Sequence, residues 1–271
     1  MYKLIAIDID DTLINDDKEV TPATQKALEQ AVEKGVIVTL ATGRAYASAQ
    51  KIARQTGLNV PIITYQGALI KNLMDEEVLF ERFVPKEAAH KLLDFCLERN
   101  LHLQTYVDDK LSAREDNEKL RGYCELNRTP YSIEPDFRAM MDKPTPKLLI
   151  IDDPAYLDEI APELKELLGP DVHITKSKPH FLEIMHREGT KGHALGFLAR
   201  HFGCELSETI GVGDSWNDRE MLLEAGLGVA MGNATPQLKE IADYVTASNN
   251  EDGVKQVIDR FILNPISEAK E

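Results

Sequence analysis

Short apolar runs alternate with stretches of helical spacing over residues 1–71. Val36 to Ala41 is a continuous apolar run interrupted only by Thr39, which is typical of a strand buried on both faces. Thr21 and Pro22 suit a helix start, because threonine caps helices and proline fits the first helical position. The pattern predicts strands at about 2–7, 36–41, 60–65 and 68–71, the last as a hairpin partner, with helices at about 22–34 and 45–56.

The same alternation returns in the last third of the chain. The predicted strands lie at 209–212, 229–231 and 244–246, and the predicted helices begin near Thr190, Asn217, Thr235 and Asp252. The residues after Pro265 resemble a loose tail. Strand and helix alternation predicts an α/β fold, in which a doubly wound parallel sheet carries helices on both faces.

The middle of the chain has a different pattern, which predicts a mixed α+β unit inserted into the first. Helices are expected at 86–99 and 155–168, and strands at 102–107, 147–152 and 181–185. The charged stretch 108–121 and the prolines at 144 and 146 interrupt them. We therefore predict a core made of residues 1–82 and 188–271, with a second domain at 83–187.

Composition narrows the classes of function. The 271-residue chain has a formal net charge of −15, which argues against nucleic acid as a partner. No apolar run is long enough to span a bilayer, and the first residues lack the pattern of a signal peptide. Cys96, Cys124 and Cys204 are far apart and form no CxxC motif. We expect a cytoplasmic monomer or weak homo-oligomer without a membrane partner.

Carboxylates follow the first predicted strand closely. Asp8 and Asp10 are two residues apart, so in an extended chain both side chains point to the same side. Ligands of open α/β sheets bind beyond the carboxyl ends of the strands, where buried carboxylates are costly unless something offsets them. A metal ion or phosphate chemistry would do so. The alternative is turn or helix capping by Asp10, Asp11 and Thr12.

Three further clusters stand at strand ends or helix starts. Thr42-Gly43-Arg44 combines a hydroxyl, a glycine amide and a helix start, which suits an anion, although an ordinary turn has the same form. Lys191 is out of place at a helix start unless it meets an anion, the alternative being a solvated lysine. Gly213 to Asp218 again places carboxylates after an apolar strand, where a helix cap would need only one of them.

Together these clusters resemble the motifs of the haloacid dehalogenase-like phosphohydrolases. The matching motifs are Asp8-Ile9-Asp10-Asp11-Thr12, Thr42-Gly43-Arg44, Lys191-Gly192 and Gly213-Asp214-Ser215-Trp216-Asn217-Asp218. The insertion between the second and third motifs is similar to that of the Cof-type group, which includes sugar-phosphate phosphatases. The supporting strings are TYQGA at 64–68, FLEI at 181–184, GVAMGN at 228–233 and SNNEDGV at 248–254.

The resemblance implies a Mg²⁺-dependent phosphatase acting on a small phosphorylated metabolite, with residues 83–187 as a C2-type cap. Asp8 would be the nucleophile and Asp10 the general acid and base. The metal ligands would be Asp8, the Asp10 carbonyl, Asp214 and Ser215. The residues that hold the substrate would be Ile9, Thr42, Gly43, Lys191 and Asn217. Asp218 would orient Lys191 rather than bind the metal. Separately, we expect Arg44, at the mouth of the site, to face a second anionic group, the alternative being an ordinary surface arginine.

Two positions depart from the family pattern. Asp11 stands where glycine is common, and we expect its carboxylate to point away from the metal. Gln66 stands where asparagine is usual, which affects any substrate contact inferred for that loop.

Other functions fit part of the same pattern. A sugar-phosphate mutase of the same superfamily would transfer the phosphoryl group to a sugar rather than to water. A phosphorylation-dependent switch uses a similar set of residues, but such receiver domains are much shorter and place their acidic pair differently. A non-catalytic sugar-phosphate sensor would leave Asp10 without a purpose.

Overall fold

The computed structural model describes residues 1–265, so the predicted tail after Pro265 lies outside the described residues. The strands are β1 (Leu4–Asp8), β2 (Ile37–Ala41), β3 (Pro61–Thr64), β4 (Leu69–Asn72), β5 (Val78–Glu81), β6 (His102–Val107), β7 (Lys110–Ala113), β8 (Tyr131–Ile133), β9 (Leu148–Ile151), β10 (Val172–Lys178), β11 (Phe181–His186), β12 (Thr209–Gly213), β13 (Leu227–Ala230) and β14 (Tyr244–Val245).

Helices connect most of these strands. They are α1 (Pro22–Glu33), α2 (Tyr46–Ala53), α3 (Lys86–Glu98), α4 (Glu118–Asn127), α5 (Phe137–Met140), α6 (Pro154–Leu168), α7 (Lys191–His201), α8 (Arg219–Glu224), α9 (Pro236–Ile241) and α10 (Gly253–Ile258). Short helical turns add to them at Trp216–Asp218 and Asp259–Leu263, and Ile9–Leu13 form a tight turn after β1. Over residues 1–265, we find no helix whose length and apolar character would let it cross a bilayer.

Eight strands form the first sheet within the described chain, in the order β14-β13-β12-β1-β2-β3-β4-β5. The six from β14 to β3 are parallel, as the alternation predicts, and this confirms the α/β class. β4 pairs antiparallel with β3 as the predicted hairpin, and β5 then extends the same edge antiparallel. The sequence pattern does not predict β5, because its side chains are exposed or half-buried and lack a clear apolar alternation.

β1 lies in the middle of the first sheet, and all five of its residues are buried. It pairs with β2 on one side, where Asp8 is level with Ala41, and with β12 on the other, where Ile7 is level with Val212. The residues that follow these three strands therefore meet at one edge. That edge is where an open α/β sheet binds its ligand.

The second sheet has six strands within residues 1–265, in the order β10-β11-β9-β6-β7-β8, and all of them come from residues 102–186. Its apolar core includes side chains of α3 and α6, among them Leu92 and Leu157. The charged stretch that interrupts the sequence pattern contains β7 and the first turn of α4, which the pattern does not predict. The domain boundaries at 82/83 and 187/188 stay predictions.

A buried apolar cluster joins the unit of the first sheet to the unit of the second. Tyr65 and Ala68, which follow β3, pack in this cluster with side chains of the second unit that include Tyr106 and Phe181. The rings of Tyr65 and Tyr106 meet edge to face with their centroids 5.2 Å apart. The second unit therefore lies closely against the carboxyl edge of the first sheet.

Candidate active site

A buried lysine lies between two carboxylates at the end of β1. Lys191 is the first residue of α7, and its Nζ is 2.5 Å from Asp8 Oδ1 and 2.6 Å from Asp218 Oδ1. The side chains of Lys191 and Asp218 are both fully buried. The helix dipole disfavours a cation at this position, and the two carboxylates offset that cost. This is the geometry expected if Asp218 orients Lys191.

Asp218 also fixes the loop that follows β12. Its second oxygen accepts hydrogen bonds from the backbone N–H groups of Asp214 and Ser215, both at 3.1 Å. A side chain on Gly213 would collide with the Asp218 carboxylate, so the close approach requires glycine there. Asp214 is held in turn, because its Oδ1 accepts a hydrogen bond from Thr12 Oγ1 at 3.0 Å.

The electrostatics of this cluster are unbalanced. Burial raises the pKa of Asp8 well above its usual value and outweighs Lys191, and the carboxylates of Asp218 and Asp214 add to the rise. Burial and then Asp218 raise the pKa of Asp214 to about 7. Burial disfavours the charged form of Lys191, but Asp218 and Asp8 outweigh it and raise its pKa. The negative charge exceeds what one lysine neutralises.

The donor set suits a hard cation. Oxygen atoms of Asp8, Asp214 and Asp218 lie within 4.8 Å of one another. Because Asp218 already accepts from Lys191 and two backbone N–H groups, Asp8 and Asp214 are the better ligands. All-oxygen sites with few carboxylates are typical of Mg²⁺. A divalent cation would also offset the excess negative charge.

The chain turns sharply after Asp8. β1 ends there, and Ile9–Leu13 form a tight turn in which Asp10 keeps an extended backbone (φ −76°, ψ 128°) and Asp11 has a left-handed one with φ 58°. Asp10 therefore lies just beyond the end of β1, and Asp8 and Asp10 line the same cavity. Asp11 is partly exposed and lies 3.4 Å from Lys18 Nζ, and its backbone carbonyl accepts from Asn233 at 2.7 Å.

Arg44 pairs with Asp10. Its Nε and Nη2 donate to the two carboxylate oxygens of Asp10, each at 2.6 Å. Burial alone would raise the pKa of Asp10, but the hydrogen bonds and charge of Arg44 outweigh it and lower that pKa. We expected Arg44 to face a second anionic group. In the structure its guanidinium group instead makes a bidentate contact with a carboxylate of the protein, that of Asp10.

Some of the residues predicted to hold the substrate line a cavity, and others are buried. Thr42, Gly43 and Asn217 line a cavity of about 310 Å³ together with Asp8, Asp10, Asp214 and Ser215. Lys191 is buried and meets the cavity through Asp8, to which its Nζ bonds. The side chain of Ile9 is fully buried in the first core, so only its backbone is available to a ligand.

The second unit closes the other side of this cavity. Its contributions include Tyr123, Asn127, Lys178 and Phe181. Two further lining residues are Lys147 and Glu183, which sequence reasoning does not single out. Glu183 interrupts an apolar strand pattern and Lys147 directly precedes one, and a charge at such a place is the signal that could have found them.

Comparisons with known proteins identify the family of the chain. The family model described as haloacid dehalogenase-like hydrolase matches residues 5–258. YxeH of Bacillus subtilis, named a putative phosphatase, is 34% identical over 270 residues, which cover 97% of this chain and 99% of YxeH. The 5-amino-6-(5-phospho-D-ribitylamino)uracil phosphatase YwtE of Bacillus subtilis is 31% identical, with 96% of this chain and 98% of YwtE covered.

A solved structure extends the likeness to the fold. The sugar phosphatase BT4131, of subclass IIB of the haloacid dehalogenase superfamily, superposes with a TM-score of 0.82 at 28% identity. The superposition covers 95% of this chain and 98% of that one. The chain therefore belongs to the haloacid dehalogenase-like hydrolase family, among its phosphatases.

Proposed function

We propose that this phosphatase hydrolyses small phosphate monoesters, foremost sugar phosphates, in a Mg²⁺-dependent reaction with an aspartyl-phosphate intermediate on Asp8. The observation that carries the proposal is the buried contact of Lys191 with Asp218 and with Asp8, which lines the cavity. Phosphoryl transfer depends on positioning and charge stabilisation, and this arrangement offers both.

In the first step, an oxygen of Asp8 attacks phosphorus, and the bond from phosphorus to the ester oxygen breaks. Asp10 gives its proton to that oxygen, so the alcohol leaves neutral. Lys191, the Gly43 amide, Thr42 and Asn217 hold the phosphoryl oxygens. Lys191 keeps its positive charge, because the two carboxylates beside it raise its pKa.

In the second step, Asp10 takes a proton from water, and the water oxygen attacks phosphorus. The bond from phosphorus to Asp8 breaks, which releases inorganic phosphate and restores the carboxylate. Arg44 favours the ionised form of Asp10 that this step needs. The first step needs the protonated form, so Arg44 must shift its hydrogen bonds when a leaving group occupies the cavity.

Asp8, Asp214, the Asp10 carbonyl and Ser215 are the proposed ligands of Mg²⁺. When bound, the ion supplies positive charge against the phosphoryl oxygens and offsets the repulsion between them and the carboxylates. Asp11 has no part in this set, since its carboxylate lies towards Lys18.

The size and lining of the cavity support a small polar leaving group. Its volume of about 310 Å³ is at the small end for ligand sites. Tyr123 and Phe181 offer apolar surface, and Asn127 and Lys178 offer polar groups, a mixture that suits a polyol or sugar. YwtE and BT4131 are named for substrates of this general kind, a phosphorylated ribitylamino compound and sugars.

The test is phosphate release from a panel of sugar phosphates, with and without Mg²⁺. Asp8→Asn is expected to abolish turnover and Asp10→Asn to lower kcat by at least about 100-fold, as general acid–base groups usually contribute. Asp11→Asn is the matched control, because it removes a neighbouring carboxylate, keeps the left-handed turn and is expected to retain activity.

Full activity of Asp8→Asn would overturn the proposed nucleophile. Activity that is unchanged in excess EDTA would overturn the role of Mg²⁺. Transfer of the phosphoryl group to a sugar acceptor in preference to water would indicate a mutase instead.

A further inference from the structure

A buried ion pair of the second unit contacts the loops of the first unit that carry Gly43 and Gln66. Lys147, just before β9, and Glu183, in β11, meet with Nζ and Oε1 2.7 Å apart. Their side chains are only 2% and 3% exposed. Burial disfavours the charged form of Lys147, but Glu183 outweighs it and raises its pKa. Such a pair costs desolvation energy that apolar residues of similar size would avoid.

Both members of this pair also bond to the first unit. Lys147 Nζ donates to the Gly43 carbonyl at 2.8 Å, and Gln66 Nε2 donates to Glu183 Oε2 at 2.5 Å. Gln66 Oε1 then accepts from Asn217 Nδ2 at 2.9 Å. A chain of hydrogen bonds therefore runs from the second unit to Gly43 and Asn217, two residues proposed to hold the phosphoryl group.

The chemistry of these groups fixes the direction of every bond. An ionised carboxylate only accepts, so Glu183 requires Gln66 to present its amide nitrogen. The oxygen of Gln66 then faces Asn217, which must present its own amide nitrogen in turn. A bond to Gln66 occupies one of the two N–H donors of Asn217, which leaves the second for a phosphoryl oxygen.

Side chains pack tightly around Gly43. A Cβ atom at this position would collide with the side-chain amide of Gln66, so Gln66 packs directly on the loop. Lys147 bonds to the same residue's carbonyl from the second unit. Gly43 is thus held between Gln66 and Lys147.

We propose that Lys147 and Glu183 are positioning residues that complete the phosphate-holding side of the site when the second unit closes on the first. They act through Gly43, Gln66 and Asn217 and do not touch the reacting atoms. The inference rests on the proposed function, since it assigns the phosphoryl group to Gly43 and Asn217. It differs from a plain docking contact, which would add stability without affecting phosphate affinity.

A double variant distinguishes a positioning role from a plain docking contact. Lys147→Met with Glu183→Leu replaces the ion pair with apolar residues of similar size, a change that often preserves or raises stability. We expect a melting temperature close to that of the unaltered protein, because the desolvation cost that is removed opposes the loss of the bonds to Gly43 and Gln66. We expect kcat/KM to fall by about 10- to 100-fold, as for other supporting residues of an active site. The inhibition constant of inorganic phosphate is expected to rise in parallel.

A second variant keeps the test decisive if the double variant does not fold. Gln66→Met removes the hydrogen bonds to Glu183 and Asn217 but leaves the ion pair in place. Its inhibition constant for inorganic phosphate is expected to rise by about 10-fold. An unaltered inhibition constant in this variant would overturn the link through Gln66 to Asn217.

A matched control uses another ion pair of the second unit. Lys119 Nζ and Asp152 Oδ2 are 2.7 Å apart, between α4 and the residue after β9. Lys119→Met with Asp152→Leu likewise replaces an ion pair with apolar residues, at a partly exposed position that does not line the cavity, and is expected to keep kcat/KM and phosphate affinity within about twofold.

A double variant that is stable and has unaltered kcat/KM and phosphate affinity would overturn the positioning role. If the unaltered protein shows no turnover, the proposed function fails separately. The binding of inorganic phosphate, measured by calorimetry on the full chain with Mg²⁺, then decides the inference. Equal affinities in the double variant and the unaltered protein would overturn it.

Discussion

At the scale of single residues, Asp214 has the most distinctive environment. Burial and Asp218 raise its pKa to about 7, compared with a usual value of 3.8. The folded protein therefore binds this proton more tightly than the unfolded chain does. Between about pH 4 and pH 7 the unfolded chain ionises first, so stability without metal falls as the pH rises through this window. Above it, the ionised Asp214 is a continuing cost.

Asp214→Asn should remove that cost. The amide oxygen can still accept the hydrogen bond from Thr12, and no charge is buried. In EDTA at pH 8 the variant is expected to melt about 2–4 °C above the unaltered protein, which corresponds to about 1 kcal/mol for a chain of this size. At pH 5, where Asp214 is largely protonated, the difference should shrink. Scanning calorimetry at both pH values measures it.

Mg²⁺ provides the complementary measurement. A bound ligand stabilises the folded state to an extent set by its affinity, so Mg²⁺ should raise the melting temperature of the unaltered protein and do so much less for Asp214→Asn. Asp11→Asn is the control, since that carboxylate is partly exposed and lies towards Lys18. An equal Mg²⁺ effect in Asp214→Asn and the unaltered protein would contradict Asp214 as a ligand.

At the scale of elements, α2 begins without a cap of its own. Its N-cap residue is Ala45, which has no side-chain hydrogen bond to offer. Asp109, in the turn between β6 and β7 of the second unit, fills this role. Its two oxygens accept from the backbone N–H groups of Tyr46 and Ala47 at 2.9 and 2.8 Å, and Tyr65 also donates to it. A helix of the first unit is thus capped by the second.

Asp109→Asn should weaken this contact, because an amide offers one acceptor oxygen where the carboxylate offers two. We expect a loss of about 1 kcal/mol in the free energy of unfolding, as for other helix caps, measured by urea denaturation. Asp108→Asn is the matched control. It makes the same change at the neighbouring left-handed position, where Asp108 is exposed. Equal losses in the two variants would show that the cap contributes nothing.

Elements with a strong apolar pattern are predictable from the sequence, whereas contacts between elements are not. The run from Val36 to Ala41 identifies β2, because a short continuous apolar run is typical of a parallel strand buried on both faces. The apolar pattern does not predict β7 and α4, because their charged residues obscure the few buried positions, such as Leu111 and Leu120. The role of Asp109 is not visible at all, because a cap supplied by another unit has no local sequence signature.

At the scale of the whole molecule, the sequence predicts which residues gather at the strand ends but not how the second unit closes over them. Asp8, Lys191 and Asp218 can each be recognised locally, because each is a charged residue at a strand end or helix start. The order of the strands in the sheet then brings the three side chains together. Lys147 and Glu183 have partners that depend on how the two units meet. The partner of Arg44 is hidden for a related reason, since Asp10 follows a separate strand.

The overall charge of the molecule leads to a further prediction. A net charge of −15 repels an anionic substrate at long range, while the cavity carries local cations such as Lys18 and Lys178. Salt screens the distant charges more than the close ones, because the Debye length falls from about 30 Å at 0.01 M to about 8 Å at 0.15 M. We therefore expect kcat/KM for a sugar phosphate to rise over this range of ionic strength at constant Mg²⁺.

The charge of the substrate supplies the control for this effect. A phosphate ester with an additional carboxylate is repelled more strongly, so its kcat/KM should rise more steeply with salt than that of a neutral sugar's phosphate. Steady-state kinetics on the two substrates at matched Mg²⁺ concentrations measure the two slopes. A fall in kcat/KM with salt for both would mean that the local cations of the cavity, rather than the net charge, determine how the substrate approaches.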